Sequence, residues 1–266
     1  MSVTIVSVLF NIDREEMDGR KWEEYLKWFD ITLKLKCPMV LFVTEDVREF
    51  IEERRKDIST SITVQDVKDI PYYYLKPQID AIIEDPEHKD RIKDPDRIEC
   101  NHSMYSIIQY SKFQWMKQAV YENPFESDYF FWLDAGASRF FEGFDLNNQF
   151  PGPAGLEAIE SMGQSFLLQL NVDHYKDLAY AETLPDAYLR NSSAIVCGSF
   201  FGGHKEIINT IANMVDLTWR EEVVGQNFIN NEQIVLAYLL KKQPSVFVEY
   251  RRDGGHHMQL FTELTK

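Results

Sequence analysis

The first quarter of the sequence alternates between short apolar runs and segments of helical periodicity, and this alternation constrains the fold more than any other feature. Trp22, Leu26 and Phe29 recur at spacings of four and three, which is typical of the apolar face of a helix. The runs around such segments are rich in β-branched and apolar residues, which predicts buried strands. These runs are "TIVSVLF", "PMVLFVTED" and "SITVQDV". Strand, helix, strand, helix, strand is the repeating unit of a mainly parallel sheet.

The rest of the chain continues this pattern with one interruption. Residues 84–102 are polar, lack periodicity and contain two Asp-Pro pairs, which predicts a loop or lid-like excursion. The length of 266 residues suits one large domain. We therefore predict a single α/β domain over residues 1–266. Its Rossmann-like sheet is mixed and mostly parallel, has about seven strands, carries helices on both faces, and is followed by a polar tail. The remaining predicted strands are "DYFFWL", "SFLLQL", "SAIVCGSFFGG" and "SVFVEY".

Charge and cysteine content exclude several classes of partner and location. The formal net charge is −15, so nucleic acid and anionic membranes would be repelled and are not expected as partners. No apolar run approaches the roughly 20 residues of a membrane-spanning helix, and the N-terminus lacks the features of a signal peptide. Cys37, Cys100 and Cys197 are widely spaced and odd in number, which favours a reducing compartment over a disulfide framework. We predict a cytoplasmic protein without a transmembrane segment.

The stretch "YFFWLDAGASR" places a single carboxylate, Asp134, directly after a buried aromatic strand. Ligands of open α/β sheets bind beyond the carboxyl ends of the strands. An acidic side chain there suits Mg²⁺ or Mn²⁺, whose coordination substrate phosphates complete. Gly136 lets the chain turn and leaves room for a ligand, and Arg139 offers a forked donor to phosphate. The alternative is that Asp134 only caps a turn.

Other charged and glycine-rich positions are candidates for the same ligand. Arg14 closes the first strand, where it either meets the ligand or pairs with a neighbouring acidic residue on the surface. Lys112 either meets a diphosphate as a point charge or is a solvated lysine on a helix face. Gly202 and Gly203 follow a predicted strand and precede a helix, so their backbone N–H groups and the helix N-terminus suit a phosphate or a sugar hydroxyl. A plain tight turn is the alternative.

Several segments together resemble one protein family. Residues 111–139, 193–203 and 230–242, with the opening "FNIDR", resemble the HtrL/YibB-like proteins, and the whole unit resembles a GT-A type glycosyltransferase. The resemblance implies a nucleotide-sugar donor, UDP-linked, and a glycan or glycolipid acceptor. It also implies a Mn or Mg ion on the diphosphate, and Arg14 at the base or ribose. The family is associated with lipopolysaccharide core gene clusters, so the resemblance implies polysaccharide biosynthesis.

The acidic motif departs from the pattern of this fold. The fold's strand ends in Asp-x-Asp, whereas "DAG" supplies only Asp134. The resemblance implies that a histidine near the C-terminus, His256 or His257, adds a ligand to the metal, and imidazole suits Mn better than Mg. Otherwise the enzyme works without a metal, or the histidines are an exposed pair in the tail.

The resemblance also implies residues on the acceptor side. A carboxylate at a helix start deprotonates the acceptor hydroxyl in inverting enzymes of this fold, which makes Glu232 the candidate base and Asp253 the reserve. Gln233, Gly202 and Gly203 are then expected beside the acceptor. An acidic residue in the first turn of a helix is favourable on its own, so Glu232 has a structural alternative.

Two other functions compete with a transferase. "DAGAS" after a strand resembles the motif of haloacid-dehalogenase-type phosphatases, in which Asp134 would be the nucleophile, although the second Asp of that motif is missing. A non-catalytic glycan-binding protein on a degenerate transferase fold is the second competitor, because a fold does not fix a function.

Overall fold

The computed structural model describes residues 2–142, 145–171, 189–191, 195–252 and 256–266. All of its strands belong to a single sheet. They are β1 (Val3–Leu9), β2 (Met39–Val43), β3 (Thr60–Val64), β4 (Tyr129–Leu133), β5 (Phe166–Asn171), β6 (Val196–His204) and β7 (Phe247–Arg252). The seven strands lie in the order β3-β2-β1-β4-β6-β5-β7. The strands predicted from apolar runs are thereby confirmed.

Helices connect the strands and cover both sides of the sheet. In the N-terminal part they are α1 (Arg14–Asp18), α2 (Trp22–Thr32), α3 (Glu45–Arg55), α4 (Lys76–Glu84), α5 (Pro86–Arg91), α6 (Ile98–Asn101) and α7 (Ser103–Glu122). In the C-terminal part the described helices are α8 (Pro153–Ser161), α9 (Lys205–Thr218), α10 (Glu232–Lys242) and α11 (Gln259–Leu264). None of the helices in these described ranges has the length and apolar character needed to cross a membrane.

Strand directions confirm the predicted class. β1 pairs in parallel with β2 and with β4, β2 with β3, and β5 with β7. β6 runs antiparallel to both of its neighbours, β4 and β5. The protein is therefore an α/β protein with a mixed, mostly parallel sheet. Its first four strands lie in the order 3-2-1-4 that begins the doubly wound nucleotide-binding sheets.

The sheet separates two hydrophobic cores because successive side chains of a strand point to opposite faces. On β4, Phe130 and Trp132 enter the core shared with α4, α7, α9 and α10. Phe131 and Leu133 enter the core shared with α2, α3, α8 and α11. Burial on both faces explains why this strand is a continuous apolar run. The alternation also places Asp134 on the side of Trp132 and therefore on the side of α7.

α7 is buried on nearly every side, which the sequence pattern does not reveal. Periodicity in the sequence predicts one apolar face through Ile108, Phe113, Met116 and Val120. In the structure α7 packs on β1 and β4 and is also covered by α4 and α9, so polar residues such as Lys112 are buried as well. A helix covered on both sides needs no polar face, and its apolar periodicity is correspondingly weak.

Two predictions about irregular segments are corrected. The excursion predicted over residues 84–102 contains α5 and α6, and His88, Ile92 and Cys100 are buried within it. The chain does not end in a polar tail, because β7 continues to Arg252 and α11 buries Phe261 and other apolar side chains. The sequence pattern does not reveal these helices, because a helix of four to six residues completes hardly more than one turn and shows no apolar periodicity.

All three cysteines are free thiols buried in the protein. Burial raises the pKa of Cys37 and that of Cys100 to about 12, and raises the pKa of Cys197 to about 11. Cysteine here contributes as a small apolar side chain and not as a disulfide partner.

Candidate active site at the switch point of the sheet

A cavity of about 360 Å³ opens at the carboxyl ends of β1 and β4. The chain leaves β1 towards β2 and β3 on one side, and β4 lies against β1 on the other side. The two connections diverge at this point, and such a switch point is where α/β sheets bind their ligands. Five of the residues predicted from the sequence line the cavity: Arg14, Lys112, Asp134, Gly136 and Arg139.

Asp134 is held at the floor of the cavity by its strand and by two neighbouring side chains. Its backbone N–H donates to the carbonyl of Ser199 on β6 at 3.0 Å. The indole Nε1 of Trp132 donates to Asp134 Oδ1 at 2.7 Å, and the Lys112 ammonium lies 3.0 Å from the same oxygen. The side chain is 33% exposed, so it is accessible from the cavity. No described donor lies on Oδ2, which leaves this oxygen for a ligand.

The turn after Asp134 is fixed against α2. Thr32 donates its hydroxyl to the carbonyl of Ala135 at 3.2 Å, and Ser138 donates its hydroxyl to the carbonyl of Trp28 at 2.6 Å. Gly136 has φ −86°, a conformation open to any residue. A Cβ atom at this position would lie 3.3 Å from the Trp28 ring, so close packing is what favours glycine here, and not an unusual turn conformation.

Lys112 is an internal cation that two carboxylates share. Its ammonium donates to Glu232 Oε1 at 2.8 Å and to the carbonyl of Gly198 at 3.1 Å, and it forms an ion pair with Asp134. Burial opposes the charge, but the two carboxylates outweigh it and raise the pKa of Lys112. The prediction that Lys112 is a solvated lysine is wrong. Three protein oxygens match the three N–H donors of Lys112.

Glu232 lies beneath Lys112 and does not line the cavity. Its side chain is 1% exposed, and Oε2 has no hydrogen-bond partner in the part of the chain that the structure describes. Burial raises the pKa of Glu232, the Lys112 charge opposes this, and Asp134 adds to it. The placement differs from the one expected for a base at the acceptor. The start of α10 positions this residue, and its Asn231 side chain caps the helix by accepting from the N–H of Ile234 at 3.1 Å.

Gly198 makes room for the buried pair. A Cβ atom here would lie 2.7 Å from Glu232 Oε1 and 2.9 Å from the Gln233 side chain. The Gly198 carbonyl is at the same time an acceptor for Lys112. Sequence reasoning missed this residue, since the contact joins β6 to α7 and α10, which are far apart in the chain. Gln233 itself packs on Gly198 and does not line the cavity.

Arg14 lies on the wall of the cavity, in the first turn of α1 and not on the end of β1. It pairs with Asp18, so the surface partners expected from the sequence, Asp13, Glu15 and Glu16, are not the ones used. Its guanidinium also lies over the Tyr105 ring at 4.2 Å from the centroid. Burial opposes the charge, but the hydrogen bond with Asp18 and the negative potential of the tyrosines raise the pKa of Arg14.

Arg139 is an exposed cation of the cavity. Its guanidinium lies 4.9 Å from the centroid of the Trp28 ring and 4.6 Å from that of Phe140. Among the described residues, no carboxylate forms an ion pair with it. Stacking on aromatic rings orients the planar guanidinium while its N–H donors stay available, which suits phosphate.

Sequence reasoning missed the aromatic and amide side chains of the cavity. Tyr25 reaches it from α2, and Tyr105 and Gln109 reach it from α7. Gln109 is buried, and its Oε1 atom has no hydrogen-bond partner among the described residues. The signal was present in the sequence, because Tyr105, Gln109 and Lys112 follow at spacings of four and three and so share one helix face.

The expected glycine-rich turn at Gly202 and Gly203 is wrong. Both residues lie inside β6, opposite Phe131 and Phe130 of β4. A Cβ atom on Gly202 would lie 2.2 Å from the carbonyl oxygen of Phe130. Because β6 is antiparallel to β4, this end of β6 lies at the opposite edge of the sheet from Asp134. The two glycines therefore allow close strand packing and do not approach the cavity.

The two C-terminal histidines lie near the cavity without lining it. His257 packs on the Phe140 ring at 4.6 Å, and its Nε2 lies 3.8 Å from Cys197 Sγ. Burial lowers the pKa of His257, and the nearby arginines add to this. His256 is half-buried, and no described residue forms a hydrogen bond with its Nδ1. The expected exposed pair is thus wrong. Asp253, the reserve base, lies outside the described residues.

The described side chains do not fit a divalent cation at Asp134. Mg²⁺ and Mn²⁺ need oxygen ligands, of which one or two carboxylates and the substrate phosphates are the usual minimum. Asp134 is already paired with the Lys112 ammonium, so a metal ion on it would meet a like charge, and the other acidic residues of the cavity, Asp13, Glu15 and Glu16, come from the loop after β1 and from α1. Nowhere in the described ranges do three or more His, Cys, Asp or Glu side chains group together as a metal site.

The fold is that of an α/β protein with a mixed, mostly parallel sheet, and a cavity lies at the switch point of this sheet. Residues 1–263 match the family described as "Bacterial protein of unknown function (HtrL_YibB)", and the chain belongs to this family. The resemblance seen in the sequence is confirmed. The chain is also similar to a crystal structure of mouse xyloside xylosyltransferase 1 in its apo form, at 10% identity and a TM-score of 0.49, over 100% of this chain and 94% of that one. No curated protein matches it.

Proposed function

We propose that the protein is a glycosyltransferase that binds a nucleotide-sugar donor in the switch-point cavity and transfers the sugar to a hydroxyl of a glycan or glycolipid. The observation that carries the proposal is the composition of this cavity. Aromatic rings, an unpartnered amide, an exposed guanidinium and an anchored carboxylate meet at the carboxyl edge of β1 and β4. A nucleotide sugar offers a complementary group to each of them. The resemblance of the sequence to GT-A type enzymes supports the same reaction.

The wall of α7 suits the nucleoside. Tyr105 and Tyr25 present aromatic surface to the cavity, and a flat base stacks favourably on such rings. The buried Oε1 atom of Gln109 lacks a donor, and an unsatisfied buried acceptor costs about 1–3 kcal/mol. The imide N–H of uracil supplies such a donor, so the cavity suits the UDP-linked donor that the family resemblance implies.

Arg139 and Asp134 suit the diphosphate and the sugar. Arg139 is exposed, free of described acidic partners and oriented by its aromatic neighbours, so it can hold phosphate oxygens and stabilise the charge that develops on the leaving diphosphate. Asp134 Oδ2 accepts hydrogen bonds from hydroxyl groups of the sugar or ribose. Both residues lie on the turn after β4, which places phosphate and sugar side by side.

The test is nucleotide release from a panel of UDP-sugars, with calorimetric titration of UDP as the binding measurement. We expect UDP to bind, and we expect Asp134→Asn to lower the rate of UDP release at least tenfold. Asp128→Asn is the matched control, because Asp128 precedes the same strand and pairs with Lys205 at 3.2 Å on the surface.

Other outcomes separate the competing functions. Hydrolysis of p-nitrophenyl phosphate that depends on Asp134, without UDP binding, identifies a phosphatase. Glycan binding that is insensitive to nucleotides identifies a non-catalytic lectin-like protein. Either result refutes the transferase.

A further inference from the structure

We propose that Lys112 is the built-in cation of the site, so that the protein binds a nucleoside diphosphate without a divalent metal ion. This inference rests on the proposed function and adds to it the source of the positive charge. In the resembled enzymes a metal ion is expected to neutralise the acidic motif and the diphosphate. Here an ammonium occupies the position beside the only carboxylate of the motif.

The first support is the fixed position of the ammonium. Three oxygens surround Lys112 Nζ within 3.1 Å, namely Glu232 Oε1, Asp134 Oδ1 and the Gly198 carbonyl oxygen. The side chain is 6% exposed. Such a cation is preorganised: it needs no recruitment from solution and no reorganisation when a ligand arrives.

The second support is the charge balance of the cavity floor. Asp134 is accessible, and without a cation its carboxylate would repel a diphosphate. Lys112 offsets part of this charge from the protein side, since it is shared with Glu232, while Arg139 offers free donors on the cavity side. The two cations therefore share the role that a metal ion would have: Lys112 reduces the negative charge beside the diphosphate, and Arg139 contacts the phosphate.

The third support is that the surroundings are built for Lys112. Gly198 has no side chain, which leaves room for Glu232, and Glu232 has no described cationic partner other than Lys112. A buried carboxylate is strongly unfavourable unless it is paired. Glu232 consequently holds the ammonium at Asp134, which makes it a positioning residue and not the base at the acceptor.

A metal ion would compete with this arrangement. Asp134 Oδ1 already receives the Trp132 N–H and lies 3.0 Å from the ammonium. Only Oδ2 remains, and a divalent ion on it would stand close to a fixed like charge. Because the Lys112 side chain is buried, this repulsion is screened less than that between two surface charges.

The decisive experiment is calorimetric titration of the unaltered protein with UDP, once in EDTA and once in MnCl₂. We expect dissociation constants that agree within about threefold. Binding that requires Mn, or that is strengthened more than tenfold by Mn, overturns the inference but leaves the transferase proposal intact. Absence of UDP binding under both conditions contradicts both. The result does not depend on the folding of any variant.

A pair of variants tests the role of the ammonium itself. Lys112→Met removes the cation, and in EDTA we expect UDP to bind at least tenfold more weakly. Lys117→Met is the matched control, since Lys117 lies on the same helix and its ammonium donates to Asn213 near the surface at 3.0 Å. Unchanged affinity in Lys112→Met, or an equal loss in both variants, overturns the inference.

Discussion

Replacing Lys112 by methionine is expected to destabilise the protein in a pH-dependent way. The substitution keeps the length of the side chain but leaves Glu232 buried without its counter-ion. Breaking a buried ion pair by removing one partner typically costs about 3–5 kcal/mol. This cost has an upper limit, because protonation of Glu232 removes the buried charge.

The ceiling follows from the pKa of glutamate in the unfolded chain. With an unfolded pKa of about 4.3, protonating Glu232 at pH 7 costs about 1.36 × 2.7, or roughly 3.7 kcal/mol. At pH 5.5 the same step costs about 1.36 × 1.2, or roughly 1.6 kcal/mol. We therefore expect a loss of about 3 kcal/mol at pH 7 and of half that or less at pH 5.5.

The sign agrees with proton linkage. Burial raises the folded-state pKa of Glu232 in the normal protein already, and loss of the Lys112 charge raises it further. A raised folded-state pKa means that the folded protein binds the proton more tightly than the unfolded chain. The stability of the variant is therefore greatest below the unfolded pKa and falls as the pH rises towards the folded pKa.

Urea denaturation of both proteins at pH 7 and pH 5.5 measures the effect. A loss of 3 kcal/mol corresponds to a lower Tm by about 6–12 °C for a protein of this size. The double variant Lys112→Met with Glu232→Gln is expected to regain stability at pH 7, because it carries no buried charge at this position. A loss below 1 kcal/mol at pH 7, or an equal loss at both pH values, would refute the reasoning.

Three further predictions concern other parts of the structure. Gly202→Ala should lower stability by about 1–3 kcal/mol or more in thermal unfolding, since its Cβ would lie 2.2 Å from the Phe130 carbonyl oxygen, while UDP affinity of the folded protein stays unchanged. Arg139→Met should weaken UDP binding about tenfold with little change in Tm, whereas Arg48→Met, at an exposed ion pair, should change neither. Burial lowers the pKa of His88, so the folded protein resists its protonation and loses stability as the pH falls below about 6.5. The His88→Gln variant should therefore lose less stability than the wild-type protein between pH 6.5 and pH 5. Identical dependence of stability on pH in the two proteins would contradict the role of His88.

The strands were predictable because their signal is local. Burial of β4 on both faces requires a continuous apolar run, and the sequence shows it as "YFFWL". The position of Asp134 at the end of this strand follows directly, and so does its location at the carboxyl edge. The turn at "DAGAS" was predicted for the same reason, although close packing on Trp28 and not an unusual φ explains its glycine.

The direction of β6 was not predictable from its sequence. An apolar run looks alike in a parallel and in an antiparallel strand, so the glycines at 202 and 203 were placed at the wrong edge of the sheet. Their close contacts with β4 exist only because β6 runs antiparallel to it. The apolar periodicity of α7 is weak for a similar reason, since a helix covered by both the sheet and α9 needs no polar face.

The sequence by itself determined the α/β class, the seven strands, the family and the acidic residue at a strand end. Only the tertiary structure shows which cation is paired with that carboxylate. Lys112 is 22 residues from Asp134 and 120 residues from Glu232, and nothing local marks the three as partners. Apolar periodicity is written into neighbouring residues, whereas the pairing of charges depends on which distant elements the folded sheet brings within 3 Å of one another.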